Sequence, residues 1–279
     1  GLGQGHRAAT LAVEKIAGSC ASTAMITCMH LAAAAVMEAH APIALRRDVA
    51  SGRSLATLAF SETGSRSQFW APTSTAARVN GSIRLDAKKS WVTSAGHAHV
   101  LVWSSRPVAD EGLSTLWHVP GTTHGLSVGA PFDGLGLRGN SSSPMTADGV
   151  EVSPDAILGA DGKGFDVMMG VVLPYFQLMS AGMCLGLMDA ATTKTAEHAG
   201  GTRFTHAGQA LADLPTIRAY VARMRVKTDM VRALLRDTLD ALEQGRDDAM
   251  LRVLEVKAAA GEASTEVTDL AMRVCGGAA

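Results

Sequence analysis

The hydrophobic pattern of this chain changes twice, and that change constrains the fold more than any other feature. Between residues 8 and 50 the apolar positions recur at helical spacing; they are Leu11, Val13, Ile16, Met25, Ile26, Met29, Leu31 and Val36. From Ser54 to about Leu158 the apolar runs are short and separated by Gly, Pro, Ser and Asn, which is typical of an antiparallel sheet or barrel. From about Gly164 to Val274 the helical spacing returns.

These patterns predict an α+β fold with three parts. A helical N-terminal segment occupies residues 1–53, a central antiparallel β-barrel or sandwich residues 54–160, and a C-terminal helical bundle residues 161–279. Within the bundle, we expect Asp213 to cap a helix that has Pro215 in its first turn. Residues 245–248 are predicted to form the turn before the last helix.

Composition limits the class of partner. The chain has 279 residues, of which 47% are hydrophobic, so it can bury a large core. A formal net charge of −1 argues against electrostatic binding to nucleic acid or to a membrane. The four cysteines have no C-x-x-C spacing, and we expect free thiols and a cytoplasmic location; they are Cys20, Cys28, Cys184 and Cys275.

Two apolar stretches are long enough to cross a bilayer. Residues 167–188 carry no charge, but Pro174 and Gln177 interrupt the stretch and no asymmetry of basic flanks accompanies it. Residues 21–41 include His30 among other polar side chains. We interpret both as buried helices of a water-soluble protein.

Two hydroxyl-rich turns suggest a binding site for a flat, polar ring. Residues 61–65 offer closely spaced backbone N–H groups and hydroxyls, which suits an anion or a polar ring edge. In the second turn Trp91 precedes Thr93 by two residues, a spacing that on a strand sends both side chains to one face. A flat aromatic ring beside a hydroxyl donor can stack on a planar ring and hydrogen-bond its edge.

Motifs spread along the chain resemble those of the acyl-CoA dehydrogenase family. The turns at 61–65 and 91–96 resemble its flavin-binding turns, T/S-E-P-G-x-G-S and W-I/V-T-N/S-G/A. Further similarities follow in the family's order, at residues 132–142, 150–154, 162–165 and 275–277. The first turn departs from the family pattern, since Thr63 replaces a proline, Arg66 a glycine and Gln68 an acidic residue.

The resemblance implies FAD as the cofactor and assigns roles to residues of the two turns. Phe60 and Ser61 would face the pyrimidine edge of the flavin, and Ser67 would approach a phosphate. Trp91 would stack against the ring system, and Thr93 would hydrogen-bond near its reactive nitrogen. The alternative is an ordinary barrel with exposed turn hydroxyls and a core tryptophan.

Further residues are implied to contact cofactor or substrate. Arg203 would contact the FAD pyrophosphate of a neighbouring subunit, although it lies next to Phe204 and not three residues before it. Gly276 and Gly277 would let backbone approach the ADP half of FAD, or would simply end a helix. Arg66, together with Ser67, would contact a phosphate of FAD or of a CoA-like substrate, or Arg66 would be solvated.

The activity that the resemblance implies is α,β-desaturation of an acyl thioester, which requires a carboxylate base. In most family members this base lies past the glycine pair, so we expect it beyond Ala279. Some members place it on a long helix, where this chain has Phe176 and Gln177, which cannot act as a base. Phe176 is a candidate for lining the acyl pocket. We therefore assign no catalytic residue from the sequence.

Two alternatives remain open on the same fold: a flavin-dependent monooxygenase, which needs no such base, and a catalytically silent homologue. We expect a homodimer or homotetramer, because the family places FAD at a subunit interface, and we expect the chain to lack parts at both ends. The acyl chain, the carrier and the electron acceptor are not encoded in any motif. His97 and His99 alternate on a predicted strand, but no third ligand accompanies them, and no metal site is expected.

Overall fold

The computed structural model describes residues 5–66, 68–109 and 111–278, and they divide into two compact units. The strand unit comprises residues 25–176; the helical unit comprises the described residues of 4–24 and 177–279. The helices are α1 His6–Ala17, α2 Ala21–His40, α3 Ile43–Ala50, α4 Gly164–Val167, α5 Leu173–Gly201, α6 Pro215–Gln244 and α7 Ala249–Cys275.

Two sheets form the centre of the strand unit. The strands are β1 Ala56–Ala59, β2 Thr75–Val79, β3 Ser82–Val92, β4 Val100–Ser105, β5 Thr115–Pro120, β6 Leu126–Val128 and β7 Ser143–Val152. One sheet has the order β1-β4-β5 and the other β2-β3-β7-β6. Neighbouring strands in these sheets are antiparallel except β1 and β4, which are parallel, with Leu58 opposite Val102.

The core of the strand unit is built from side chains that alternate along the strands. Along β3, Ile83, Leu85 and Ala87 point inward and are buried, while the intervening side chains are more exposed. Trp103 on β4 and Trp117 on β5 lie opposite each other in the register and are almost fully buried. Burying such large rings removes much apolar surface from water, which stabilises the unit.

The helical unit is held by apolar faces of α5, α6 and α7. Its core cluster is Leu178, Ala181, Leu185, Met188, Met224, Val231, Leu235, Leu239, Val253, Val256, Ala260, Ala263, Val267 and Leu270. Glycines on α5 let α1 approach closely: a Cβ at Gly186 would collide with the carbonyl oxygen of Glu14. A short hairpin, β8 Arg203–Phe204 and β9 Gln209–Ala210, connects α5 to the segment before α6.

The α+β fold predicted from the sequence is confirmed, and so is the turn before the last helix. Gly245 ends α6 in the left-handed conformation, with φ of 63°, and α7 begins at Ala249. The predicted cap at Asp213 is wrong, because α6 starts after Leu214 without a side-chain cap. Asp213 instead accepts a hydrogen bond from the backbone N–H of Ala210 at 2.9 Å, since it lies within the preceding 3₁₀ turn.

A π-helical turn at Met168–Val172 separates α4 from α5. Pro174, which follows this turn, has no N–H to donate to the carbonyl of Gly170 four residues earlier. The wider turn is a common way to accommodate such a missing bond. The helical stretch that the sequence predicts from about Gly164 therefore contains one irregular turn.

By length and composition, two helical stretches are apolar enough to cross a membrane: Ala21–His40 and Gly164–Gly201. The apolar window of the second stretch is 56% buried within the protein and that of the first is 33% buried. Core helices of water-soluble proteins pass the same test of length and composition.

Two histidines hold the start of β1. The backbone N–H of Ala56 donates to Nδ1 of His30 at 3.1 Å, and that of Leu55 donates to Nδ1 of His99 at 3.0 Å. A ring nitrogen accepts a hydrogen bond only when it is unprotonated. Burial lowers the pKa of His30 below 6.5, so the folded state favours the neutral ring.

We predict that His30 makes the protein less stable in mild acid. Because its pKa is lower in the folded state than in the unfolded state, its contribution is complete above pH 6.5 and is lost as the pH falls below that value. His30→Asn keeps an acceptor oxygen but does not titrate. Relative to this variant, the wild-type free energy of unfolding should fall by up to about 1.4 kcal/mol per pH unit, measured by urea denaturation between pH 8 and 5.

The control variant is His124→Asn, which changes an exposed histidine. It should leave the pH dependence of unfolding unchanged. Parallel pH profiles for wild type and His30→Asn would show that the bond to Ala56 does not depend on the charge of His30.

Candidate functional site

The first hydroxyl-rich turn follows β1 directly. Phe60 is buried and stacks on Phe69, with ring centroids 6.5 Å apart and planes 9° apart, whereas Ser61 is exposed. Residues Thr63–Ser65 form one 3₁₀ turn, and Arg66 then adopts a left-handed backbone with φ of 47°. Arg66 is exposed, so a phosphate can reach its guanidinium group. Ser67 was also predicted to bind phosphate, and it lies outside the described residues.

The carboxylate of Glu62 organises the residues around this turn. Its Oε2 accepts hydrogen bonds from the backbone N–H and hydroxyl of Thr73, at 2.6 and 2.5 Å, and from the N–H of Ser74 at 3.1 Å. Its Oε1 accepts from the hydroxyl of Ser74 at 2.5 Å and from Nζ of Lys89 at 2.6 Å. Glu62 is 5% exposed, and every acceptor oxygen of its carboxylate is occupied.

Lys89 is the buried partner of Glu62. Besides the carboxylate, its Nζ donates to the carbonyl oxygen of Ser104 at 2.7 Å and to the Ser104 hydroxyl at 2.9 Å. The ammonium also lies 5.2 Å from the ring centroid of Trp103, within the range of a cation–π contact. The side chains of Lys89 and Glu62 are 0% and 2% exposed, so this ion pair is removed from water.

Burial and ion pairing both shift the pKa values of Lys89 and Glu62. Desolvation lowers the pKa of Lys89 to about 8, and the Glu62 carboxylate opposes that shift. Desolvation would raise the pKa of Glu62, but the Lys89 ammonium and the hydroxyl donors outweigh it and leave that pKa below its usual value. Both groups are therefore charged at neutral pH, and Glu62 is unsuited to act as a general base.

The second turn starts with a β-bulge at the end of β3. The pairing of β3 with β7 shifts between Lys89 and Val92, and Trp91 in the bulge has φ of 58°. Trp91 is 63% exposed, and its indole stacks on Phe132, with centroids 3.8 Å apart and planes 26° apart. The sequence argument assumed an extended strand through Trp91 and Thr93, and that premise is wrong.

Thr93 lies in the turn itself and is held by two other segments of the chain. Its carbonyl oxygen accepts from the hydroxyl of Thr57 at 2.9 Å, and its Oγ1 lies 3.3 Å from Oγ of Ser142. The neighbouring Ser94 donates its N–H to the carbonyl of Asn140 at 2.9 Å. Thr93 is 6% exposed, so its hydroxyl has a fixed position at the edge of the turn.

The structure brings the two turns side by side. Glu62 and Lys89 form an antiparallel β-bridge, and the N–H of Ser90 donates to the carbonyl of Ser61 at 2.8 Å. Ser61 of the first turn therefore lies next to Ser90, the residue that precedes Trp91 in the second turn.

The chemistry of these groups fits a flavin. Trp91 offers a flat ring that is open to solvent and supported by Phe132. Ser61 and Thr63 provide exposed polar groups, and Thr93 provides a fixed hydroxyl. A planar heterocycle with acceptors along its edge needs a stacking surface and nearby donors of this kind.

The other predicted contact residues take different places in the fold. Arg203 is exposed on the short strand β8, and its register partner is Ala210. Gly276 is the C-cap of α7, with φ of 58° and ψ of −137°, a conformation that requires glycine. Gly277 follows in a 3₁₀ turn. These three residues belong to the helical unit, whereas Phe176, which is half-buried, ends the strand unit.

The described parts of the chain, 5–66, 68–109 and 111–278, contain no group of three or more His, Cys, Asp and Glu side chains suited to a metal ion. The strand placement of His97 and His99 was wrong, because both lie before β4, which begins at Val100. His99 accepts the N–H of Leu55 through its ring, as described above.

Sequence reasoning missed the partners of Glu62. Lys89 occupies the position that follows Ile83, Leu85 and Ala87 in the alternation of β3, so its inward direction was readable from the sequence. A lysine at an inward position requires a buried acceptor. The identity of that acceptor depends on which distant segments pack against β3.

Comparisons with known proteins agree over most of the chain. Residues 57–150 match the family model "Acyl-CoA dehydrogenase, middle domain", and residues 162–279 match "Acyl-CoA dehydrogenase, C-terminal domain". The chain is 29% identical to the short-chain specific acyl-CoA dehydrogenase of Bos taurus mitochondria, covering 99% of this chain and 68% of the relative. It is 26% identical to glutaryl-CoA dehydrogenase of Desulfococcus multivorans, covering 99% and 72%.

Solved structures share the fold. Butyryl-CoA dehydrogenase from Megasphaera elsdenii superposes with a TM-score of 0.88 at 20% identity, covering 95% of this chain and 70% of that one. A glutaryl-CoA dehydrogenase in complex with glutaryl-CoA gives a TM-score of 0.87 at 24% identity, with 95% and 68% covered.

We predict that Trp91 emits most of the tryptophan fluorescence that iodide can quench. Trp103 and Trp117 are nearly fully buried and Trp70 is half-buried, so iodide should reach mainly Trp91. Trp91→Phe should lower the Stern–Volmer constant for iodide, measured on the protein without flavin. Trp70→Phe is the matched control; equal loss in both variants would contradict the open position of Trp91.

Proposed function

The chain belongs to the acyl-CoA dehydrogenase family, and from that premise we propose that it is an FAD-dependent oxidoreductase that desaturates an acyl thioester between its α- and β-carbons. The observation that carries the proposal is the pairing of the two turns, which places the exposed Ser61 next to the segment that carries the exposed Trp91 and the hydrogen-bonded Thr93. The substrate class is an acyl-CoA or another acyl thioester.

When bound, FAD supplies the acceptor for the hydride that leaves the β-carbon. The residues of the chain bind and orient it. Trp91 offers its open face to the ring system, and Thr93 offers its hydroxyl to the ring edge. Arg66 is exposed beside the first turn and is suited to a phosphate of FAD or of the substrate. We further propose that Arg203, Gly276 and Gly277 contact the pyrophosphate and ADP portion.

Loss of the α-proton needs a base, and the chain's long helix α5 does not provide one at its start. Phe176 and Gln177 occupy the place where some members of the family carry a glutamate. An amide does not accept a proton near neutral pH, so Gln177 has no role as the base. No group in the described part of the chain donates a hydrogen bond to the buried Oε1 of Gln177, which leaves an acceptor available to a ligand donor.

A flavin-dependent monooxygenase on the same fold is the second candidate, and Gln177 is the observation that favours it. Such an enzyme reacts reduced flavin with oxygen and requires no carboxylate at the α-carbon. The two candidates differ in their reductant: the thioester itself for the dehydrogenase, and a separate reductase for the monooxygenase.

We predict that the full-length protein purifies with bound FAD and that anaerobic addition of one thioester from a panel bleaches its visible absorbance. Bleaching reports hydride transfer from that thioester. Persistent absorbance with every thioester, combined with bleaching by a flavin reductase and NAD(P)H, would support the monooxygenase instead. Protein that binds no flavin would indicate a catalytically silent homologue.

The contact of Thr93 is tested by Thr93→Val, which keeps the shape and removes the hydroxyl. Loss of one hydrogen bond should weaken FAD binding by about tenfold. Thr268→Val, on the exposed face of α7, is the control. Equal FAD affinity in both variants would exclude a contact between Thr93 and the flavin.

We also propose that the protein is a homo-oligomer that works in acyl-thioester metabolism of the cytoplasm. Exposed apolar side chains lie along α6 and α7 and support association: Val226, Met230, Met250, Leu251, Leu254 and Met272. Within the described parts of the chain none of the four cysteines forms a disulfide bond, which agrees with a reducing compartment.

We predict that Met230→Glu shifts the protein toward smaller species. Met230 is 61% exposed on α6, and a carboxylate at an apolar interface would have to lose its hydration. Sedimentation velocity measures the shift. Thr75→Glu, at an exposed position of β2, adds the same charge and should not change the mass; unchanged mass for Met230→Glu would exclude this face from the interface.

A further inference from the structure

Lys89 occupies a position at which an apolar side chain would be expected. It continues the inward-facing series of β3, and its side chain is 0% exposed. Lysine is almost never fully buried, because removing an ammonium from water is costly. Replacing a buried ion pair by apolar residues of similar volume is often neutral or stabilising. Core stability alone is therefore a poor explanation for a charged pair here.

The pair links segments that belong to different sheets of the strand unit. Lys89 belongs to the sheet β2-β3-β7-β6, and its acceptor Ser104 belongs to β4 of the other sheet. Glu62 follows β1 of that second sheet, and through its Oε2 it holds Thr73 just before β2. One buried cluster thus cross-links both sheets where the two turns begin.

The same pair sets the position of the residues that would touch flavin. The β-bridge between Glu62 and Lys89 leads directly to the bond between Ser90 and Ser61. The bulge begins one residue later, and Trp91 there takes φ of 58°, a conformation that is unfavourable for a bulky side chain. A strained residue persists only when its surroundings hold it, and Lys89 is the nearest buried residue on the N-terminal side of Trp91.

We propose that the buried ion pair of Glu62 and Lys89 is a positioning device, which fixes the Ser61 turn against the Trp91 turn and thereby determines how the two turns contact flavin. The part of this inference that concerns flavin rests on the proposed function. Neither Glu62 nor Lys89 contacts the ring: Glu62 acts through Ser61 and Lys89 through Trp91. The pair therefore adds geometric specificity that an apolar pair would not supply.

The test compares a neutral pair with a control on the same strand. Glu62→Gln with Lys89→Met removes both charges and keeps the side-chain volumes close to the original. The single variant Lys89→Met would leave a buried, unpaired carboxylate and is expected to fold poorly, so the double variant carries the test. Arg84→Met, which breaks an exposed ion pair with Asp86 on β3, is the control.

The first measurement is made without flavin. The stacked rings of Trp91 and Phe132 should give a near-ultraviolet circular dichroism signal. For wild type, the double variant and Arg84→Met, this signal is the difference between the spectrum of the protein and that of the same protein carrying Trp91→Phe. The double variant should retain its helical signal and a cooperative melt but lose this Trp91-dependent signal, whereas Arg84→Met should retain it. A Trp91 signal of wild-type size in the folded double variant would overturn the proposal.

The second measurement is made with FAD. The double variant should bind FAD at least about tenfold more weakly than wild type, the effect of losing one positioned contact, and the visible circular dichroism of the bound flavin should change. Wild-type affinity and an unchanged spectrum would overturn the flavin part of the inference. If the wild-type protein itself binds no flavin, the proposed function fails, and the measurement on Trp91 alone then decides whether the pair positions the turns.

Discussion

The buried ion pair of Glu62 and Lys89 is the interaction on which the candidate site depends. It places a full positive and a full negative charge in the interior of the strand unit, and hydrogen bonds from Thr73, Ser74 and Ser104 complete the shell around it. A buried charge without such partners would be strongly destabilising. Because the partners come from separate segments, satisfying these two charges fixes how those segments meet.

The arrangement of the turns follows from that constraint. The turn after β1 and the bulge at the end of β3 become neighbours, so that Ser61 and Trp91 lie at one edge of the unit. Trp91 then projects into solvent with Phe132 behind it, and Thr93 stays buried and hydrogen-bonded. Trp91 is available to stack on a ring, while Thr93 keeps its hydroxyl donor in a fixed position. Rigid support of this kind is what a cofactor site requires.

Some features of this site can be read from the sequence, and one prediction about it rested on a wrong premise. The inward position of Lys89 follows from the period of two along β3, and the small, hydroxyl-rich turns were recognisable by composition. The orientation of Trp91 was derived from an extended strand, but a bulge intervenes. The bulge depends on the pairing of β3 with β7. Asp213 was expected to cap α6, but it belongs to the 3₁₀ turn before that helix, and Leu214 takes the cap position.

By itself, the sequence determined the order of helical and strand segments, the family resemblance, the αL glycine that ends α6 and the inward direction of Lys89. These properties depend on local periodicity and on the conformational freedom of single residues. Tertiary structure decided that β1 pairs in parallel with β4, that Glu62 is the partner of Lys89, and that Trp91 leaves the strand at a bulge. Those outcomes depend on contacts between residues far apart in the chain, which become defined only when the sheets pack together.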